Sequence, residues 1–179
     1  MNLIHNLTIN NMIINHNIIL CGFMGCGKST VGKELSSKLK LKFIDTDEYI
    51  ETQTGMQISQ IFEQFGEKHF RNIEKISIEK ISKMSGYIIS TGGGSVLNEL
   101  NVYNLKHNGT IVFLNVDFQN AILRLSKSYT RPLIKNSSID SIKNNFLKRQ
   151  KIYLSVADII VDANKSIDDI CNDIIKSII

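Results

Sequence analysis

At 179 residues the chain has the length of one ordinary domain, enough to bury a real core. Its composition, 42% hydrophobic and 21% charged, is that of a soluble globular protein, and a net charge of +4 suits small anionic ligands but is too weak and dispersed to point to nucleic acid. No apolar run approaches the ~18–20 residues of a membrane span. Cys21, Cys26 and Cys171 are an odd, sparse set without metal spacing, which predicts a reducing compartment, the cytoplasm, and no disulfide framework.

Residues 1–16 read as an N-terminal extension without motif, Asn-rich and lacking Lys and Arg, with Met12 as a second candidate start. Residues 17–179 read as a single domain with no repeat and no linker. Ile18, Ile19, Leu20 and Cys21 form a buried strand that runs straight into Gly22, and Gly27-Lys28-Ser29 follows after four residues. That is the GxxxxGK[ST] phosphate-binding loop, set between a strand and a helix-prone segment. The backbone N–H groups around Gly25, Cys26, Gly27, Lys28, Ser29 and Thr30 make a nest for anionic oxygens at a helix start. Lys28 is placed to lie along the β- and γ-phosphates, and the Ser29 hydroxyl to ligate Mg²⁺. Cys26 sits near a helix N-terminus and a lysine, a setting that lowers a thiol pKa; the other reading is a small residue that merely fills the loop.

Residues 29–39 then read as a helix with Val31, Leu35 and Leu39 on one face, and residues 41–45 as a short strand ending in Asp45-Thr46-Asp47. Two carboxylates at the carboxyl end of a strand stand where α/β sheets place ligands. Strand alternation would send their side chains to different sides and different tasks. Alternatively, Asp47 or Thr46 caps a helix that begins at Glu48. Residues 58–65 and 67–84 read as two helices separated by Gly66, the second with a mixed apolar stripe through Phe70, Ile73, Ile76 with Ser77, Lys80 and Ile81. Arg71 and Glu74 stand one turn apart on it, either as a surface ion pair or as an arginine oriented by a carboxylate to grip an anion bidentately. A third strand at 87–91 ends in Gly92-Gly93-Gly94, which predicts close backbone approach or an unusual turn. A fourth strand at 110–115 precedes a helix at 118–126, and the polar, basic stretch 127–138 around Pro132 reads as a lid over phosphates. A helix at 139–154, a fifth strand at 157–161 and a terminal helix at 166–178 complete a β/α alternation that predicts a parallel sheet.

With these residues in place, the chain resembles the shikimate kinases. The resemblance is carried, in order, by the loop from Gly22 to Thr30, Asp45-Thr46-Asp47, Gly66-Glu67 with Phe70-Arg71 and Glu74, Ser90-Thr91 with the three glycines, Arg131-Pro132-Leu133, and Arg149 with Tyr153. It implies an α/β fold of the P-loop, nucleoside-monophosphate-kinase-like kind: three layers, a five-stranded parallel sheet in the order 2-3-1-4-5, helices on both faces and a short lid. It also implies ATP-dependent phosphorylation of the 3-hydroxyl of shikimate, giving shikimate 3-phosphate and ADP on the chorismate route to aromatic amino acids. The expected enzyme is a cytoplasmic monomer that needs Mg²⁺ and engages neither nucleic acid nor membrane.

The resemblance assigns roles to particular positions. ATP goes to Gly25, Cys26, Gly27, Lys28, Ser29 and Thr30, with Arg124 near the adenine and Arg131 on the transferred phosphate; Mg²⁺ goes to Ser29 and Asp45. The shikimate carboxylate goes to Arg71 and Arg149, with Glu74 beside Arg71. The ring hydroxyls go to Asp47, the ring to Gly92, Gly93 and Gly94, and the pocket wall to Phe62 and Phe70. Asp47, Lys28 and Arg131 are the expected catalytic groups. A gluconate or nucleoside-monophosphate kinase would share the architecture, and the Arg71/Arg149 pair, suited to a small carboxylate, separates these readings. A nucleotide-binding switch without turnover would have lost Lys28, Asp47 or Arg131, and all three are present.

Overall fold

The computed structural model describes residues 15–126 and 138–178; residues 1–14 of the extension and the lid segment up to residue 137, Arg131 included, lie outside the described residues. Five parallel strands, β1 (Asn17–Cys21), β2 (Lys42–Asp45), β3 (Tyr87–Ser90), β4 (Gly109–Asn115) and β5 (Ile159–Asp162), form one sheet in the order β2-β3-β1-β4-β5. This is the order the resemblance implied. β1 is central because it is the most apolar, and Ile18, Ile19, Leu20 and Cys21 are all fully buried. A parallel strand covered on both faces reads as a continuous apolar run, and β1 does.

Between the strands run α1 (Lys28–Leu39), α2 (Thr46–Thr54), α3 (Ile58–Ser82), α4 (Glu99–His107), α5 (Phe118–Ser126), α6 (Ile139–Val156) and α7 (Ile167–Ile178). Leu20, Phe43 and Gly32 meet on one face, where α1 packs on the sheet and on α7. On the opposite face the Phe113 ring packs on Tyr153 of α6, at 5.3 Å between centroids. Because all strands are parallel, their carboxyl ends share one edge, and the pairing of Asp45 with Ser90 and of Leu20 with Ser90 aligns three loops there. Ligands of open α/β sheets sit at that edge.

Three sequence expectations shift. The fifth strand starts two residues late, because Asp158 spends its backbone and side chain on β4: its N–H donates to the Ile111 carbonyl at 2.9 Å and its Oδ2 accepts from the Ile111 N–H at 2.8 Å. The stripe of α3 runs through Phe70, Glu74, Ser77, Ile78 and Ile81, all buried, whereas Ile76 is 54% exposed. A buried Glu74 rotates the inward face away from Ile76. Third, α2 begins at Thr46 and is capped by Asp45, whose Oδ1 accepts from the Asp47 N–H at 3.0 Å. Neither Asp47 nor Thr46 is the cap, and the strand alternation expected to separate the two carboxylates ends at Asp45.

The break at Gly66 is real: its φ of 77° and ψ of 172° interrupt α3. In an unbroken helix Phe62 and Phe70 would stand about 12 Å apart along the axis. Across the break their rings meet at 4.7 Å.

At the amino end of the sheet, Asn17 is buried and clamps β1 to the start of β3. Its Nδ2 donates to the Met84 carbonyl at 2.6 Å, and its Oδ1 accepts from the Tyr87 N–H at 3.0 Å. Asn108 also reaches the Met84 carbonyl, at 2.7 Å, so loss of Asn17 would strand only the Tyr87 N–H. Asn17→Ala is therefore expected to cost about 2 kcal/mol, read as a lower urea midpoint at constant slope. An unchanged midpoint would show that Tyr87 finds another partner.

Candidate active site

The phosphate-binding loop leaves β1 at Gly22 and enters α1 at Lys28. Gly22 has a φ of 142°, and a Cβ there would lie 2.9 Å from both the Leu114 carbonyl oxygen and Cys26 Sγ. Only glycine fits. Gly27, at φ 100°, turns the backbone into α1. Lys28 Nζ donates across the loop to the carbonyls of Gly22 at 2.8 Å and Phe23 at 3.3 Å, which holds its charge over the mouth of the nest. Thr30 is exposed in the first turn of α1. Cys26 is fully buried behind the loop, its Sγ accepting from Lys28 Nζ at 3.7 Å. Burial first, and then the neighbouring Cys26, pushes the Cys21 thiol up to about 12.

Beside the loop, three oxygen donors from three elements converge. Ser29 Oγ donates to Asp45 Oδ2 at 2.8 Å, Ser90 Oγ donates to the same oxygen at 2.9 Å, and the two hydroxyls are 3.5 Å apart. Asp45 thus serves the helix cap with one oxygen and this cluster with the other. Ser90 belonged to a recognised motif but had no role from sequence; its signal was its register opposite Asp45.

The triple glycine is the meeting point of the remaining groups. None of the three has positive φ, and at Gly92 and Gly94 it is space, rather than conformational freedom, that requires glycine. A Cβ on Gly92 would lie 2.7 Å from Asp47 Oδ1, one on Gly93 3.5 Å from Arg149 Nη1, and one on Gly94 between 2.6 and 2.9 Å from the Arg71 guanidinium. Gly92 and Gly94 make room for Asp47 and Arg71, and Gly93 stands within ordinary contact distance of Arg149. The Gly93 position is also 3.8 Å from the Gly22 carbonyl oxygen, so this segment borders the phosphate loop.

The glycine backbone is itself held. Buried Thr46 accepts from the Gly92 N–H at 2.8 Å, and Tyr153 donates its hydroxyl to the Gly93 carbonyl at 2.6 Å, beside Arg149 Nη1 at 3.4 Å. Burial raises the Tyr153 phenol above its ordinary pKa, which keeps it a donor. From sequence Thr46 was only a candidate helix cap and Tyr153 had no assigned role; both are polar residues buried among apolar ones, visible only once the packing is known.

Arg71 and Glu74 form a partly buried pair. Arg71 Nη1 donates to Glu74 Oε2 at 2.8 Å, and Glu74 is 1% exposed. Glu67 Oε1 accepts from Arg71 Nε at 3.4 Å and Nη2 at 3.2 Å. Burial works against the guanidinium charge, and the bonds to Glu74 and Glu67 outweigh it, holding its pKa above the ordinary value. Of its five N–H donors these contacts use one on each nitrogen. Among the described residues, one N–H on Nη1 and one on Nη2 remain for a carboxylate. Phe70, buried, lies 5.1 Å under the guanidinium, and Phe62, 37% exposed, stacks on Phe70 at the rim.

Arg124 of α5 bridges the loop and the turn after β5, donating to the Cys26 carbonyl at 3.3 Å and the Ala163 carbonyl at 2.9 Å. The structure thus gathers Lys28, Ser29, Asp45 and Arg124 around the loop, and Asp47, Arg71, Glu74 and Arg149 around the glycines.

A family model described as shikimate kinase matches residues 24–179. The chain belongs to the shikimate kinase family. It is 44% identical to the shikimate kinase of Sulfurihydrogenibium sp. over 138 residues, 77% of this chain and 82% of that one. It is 42% identical to that of Aquifex aeolicus over 151 residues, 84% and 89% of the two chains. Among solved structures, shikimate kinase from Acinetobacter baumannii in complex with shikimate superposes with a TM-score of 0.86 at 30% identity, covering 97% of this chain and 96% of that one. Shikimate kinase from Aquifex aeolicus gives 0.77 at 40% identity, covering 90% and 95%. As a member of this family the chain is a kinase that uses ATP to phosphorylate shikimate, a step in aromatic amino acid biosynthesis.

Gly94→Ala tests the space argument in a shikimate kinase. Its φ of −102° suits alanine, so the fold should hold, while the new methyl displaces the Arg71 guanidinium. The expected result is a KM for shikimate raised about tenfold or more, roughly the loss of one charge-assisted contact, with ATP affinity unchanged. Normal shikimate kinetics would show that Arg71 need not occupy this place.

Proposed function

We propose that this shikimate kinase transfers the γ-phosphoryl group of ATP to the 3-hydroxyl of shikimate at the junction of the phosphate loop and the triple glycine. The observation that carries the assignment is the approach of Asp47, Arg149 and Arg71 to three consecutive glycines bordering Gly22. Arg71 and Arg149 take the shikimate carboxylate, which fixes the ring in orientation, the proximity effect that supplies much of a positioned reaction's advantage. Phe70 and Phe62 line the apolar side of the ring.

Asp47 accepts a hydrogen bond from the attacking hydroxyl and takes its proton late, as the new P–O bond forms and the bond to the ADP oxygen breaks. An ordinary carboxylate suffices as the base when deprotonation lags behind bond cleavage. Lys28 and the loop N–H groups hold the β- and γ-phosphate oxygens. Arg131, outside the described residues, is assigned to the transferred group by the family motif. Arg124 anchors the adenine side of the loop.

The all-oxygen set of Ser29, Asp45 and Ser90 fits Mg²⁺, which favours few protein ligands together with phosphates and water. Ser29 would hold it directly and Asp45 through water; when bound, the ion neutralises phosphate charge. Every group assigned here comes from one chain, so the reaction asks for no second copy, consistent with a monomer. The described cysteines are free, which suits the reducing cytoplasm. No described helix is long and apolar enough to cross a membrane, and no role is assigned to nucleic acid.

ADP release measured by a coupled assay should rise with shikimate at millimolar levels; absence of stimulation would sink the substrate assignment. Asp47→Asn should lower kcat by about 10²–10⁴-fold, the range for a positioned general base, with ADP affinity within about twofold of the parent. Nucleotide affinity lost together with activity would mean that Asp47 holds the loop rather than the hydroxyl.

A further inference from the structure

Ser95 opens the short 3₁₀ turn (Ser95–Leu97) that follows the triple glycine, and it is completely buried. Its Oγ donates to Glu74 Oε1 at 2.8 Å, while Arg71 holds the other oxygen of the same carboxylate at 2.8 Å. The turn is fixed from behind: the Ser95 N–H donates to the Gly92 carbonyl at 3.1 Å, and buried Asn101 of α4 donates from Nδ2 to the Ser95 carbonyl at 2.9 Å. A polar chain therefore runs from Asn101 through Ser95 and Glu74 to Arg71, entirely behind the acceptor site. A Cβ on Gly92 would lie 2.7 Å from Asp47 Oδ1, 3.1 Å from Ser95 Oγ and 3.4 Å from Glu74 Oε1, so Ser95 borders the same space beside Gly92 as both carboxylates.

We infer that Ser95 is a positioning residue for the acceptor: its hydroxyl pins the Glu74 carboxylate, and through it the Arg71 fork, in the orientation that receives the shikimate carboxylate. It touches no substrate in this scheme. A buried carboxylate needs its oxygens paired, and Ser95 and Arg71 are the partners that divide Glu74 between them. Without the hydroxyl, Glu74 is free to rotate and take both its oxygens to Arg71, which turns the fork away. The donor side is built from other residues and should not register the change. The inference rests on the assignment of Arg71 to the shikimate carboxylate, and the test separates the two.

Shikimate and ADP binding are titrated calorimetrically on the full chain for the parent, Ser95→Ala, Arg71→Ala and the double variant. Ser95→Ala is expected to raise the shikimate dissociation constant about tenfold, the effect of losing one charge-assisted hydrogen bond, and to leave that of ADP within about twofold. On the Arg71→Ala background the serine change should add less than about twofold, since it acts through Arg71. Two results would overturn the inference while leaving the Arg71 assignment standing: unchanged shikimate binding in Ser95→Ala when Arg71→Ala loses it, or equal weakening of shikimate and ADP. Full, additive losses in the double variant would also overturn it. Normal shikimate binding by Arg71→Ala would overturn the assignment beneath it.

Discussion

The constraint on which the site depends is the missing Cβ at Gly92 and Gly94, on either side of Gly93, after β3. Asp47 comes from α2, Arg71 from α3 and Arg149 from α6, and each reaches toward the volume a side chain would take at Gly92, Gly94 and Gly93 respectively. Asp47 and Arg71 can approach the strand end this closely only because it presents backbone alone at Gly92 and Gly94. The backbone then works as a template. Thr46 fixes the Gly92 N–H and Tyr153 the Gly93 carbonyl, so the template is rigid in the way a preorganised site requires.

That arrangement explains the otherwise costly burial of Glu74. A carboxylate on the inward stripe of α3 stands where Ile would stabilise the core, and burying an unpaired charge costs several kcal/mol. Here both oxygens are paired, one with Arg71 and one with Ser95. On the proposed assignment of Arg71 to the shikimate carboxylate, an arginine held this way has surrendered its rotamer freedom before substrate arrives, so less is lost on binding. The helix is adapted around the pair. The break at Gly66 lets the first half of α3 fold over the second, which brings Phe62 onto Phe70 beneath the guanidinium.

Much of this was legible in the sequence where one residue type has one physical use. Gly22, Gly27 and Lys28 could be placed because positive φ and phosphate charge leave few substitutes. The strands showed as apolar runs because parallel strands are covered on both faces. What failed were inferences from local pattern at places where tertiary partners decide. Asp47 looked like a possible cap until Asp45 proved to hold that position with one oxygen and the Ser29/Ser90 cluster with the other. Ile76 fitted a helical stripe by spacing, yet the paired Glu74 turned it to solvent. The three glycines were read as close backbone approach or an unusual turn; that Gly92 and Gly94 leave space for Asp47 and Arg71 depends on groups about 20 to 50 residues away in sequence. Ser90, Thr46, Ser95 and Tyr153 are small or mixed-polarity residues whose roles come from burial, which sequence does not display.

The donor and acceptor halves are also one mechanical unit. The Leu20 carbonyl, one residue from the end of β1, accepts from both the Thr91 N–H at 3.1 Å and the Thr91 hydroxyl at 3.0 Å, one residue before the glycines. Any shift of the glycine segment is thereby transmitted to Gly22, and the reverse, because the two chain segments share an acceptor at the centre of the sheet. In-line transfer tolerates displacements of only a fraction of an ångström. Placing both loops at the ends of adjacent strands, β1 fully buried and β3 buried from Ile88 onward, serves that tolerance. Selectivity for the acceptor can then reside in α2, α3 and α6, whose side chains vary the pocket while β1 and β3 keep the distance between hydroxyl and phosphate.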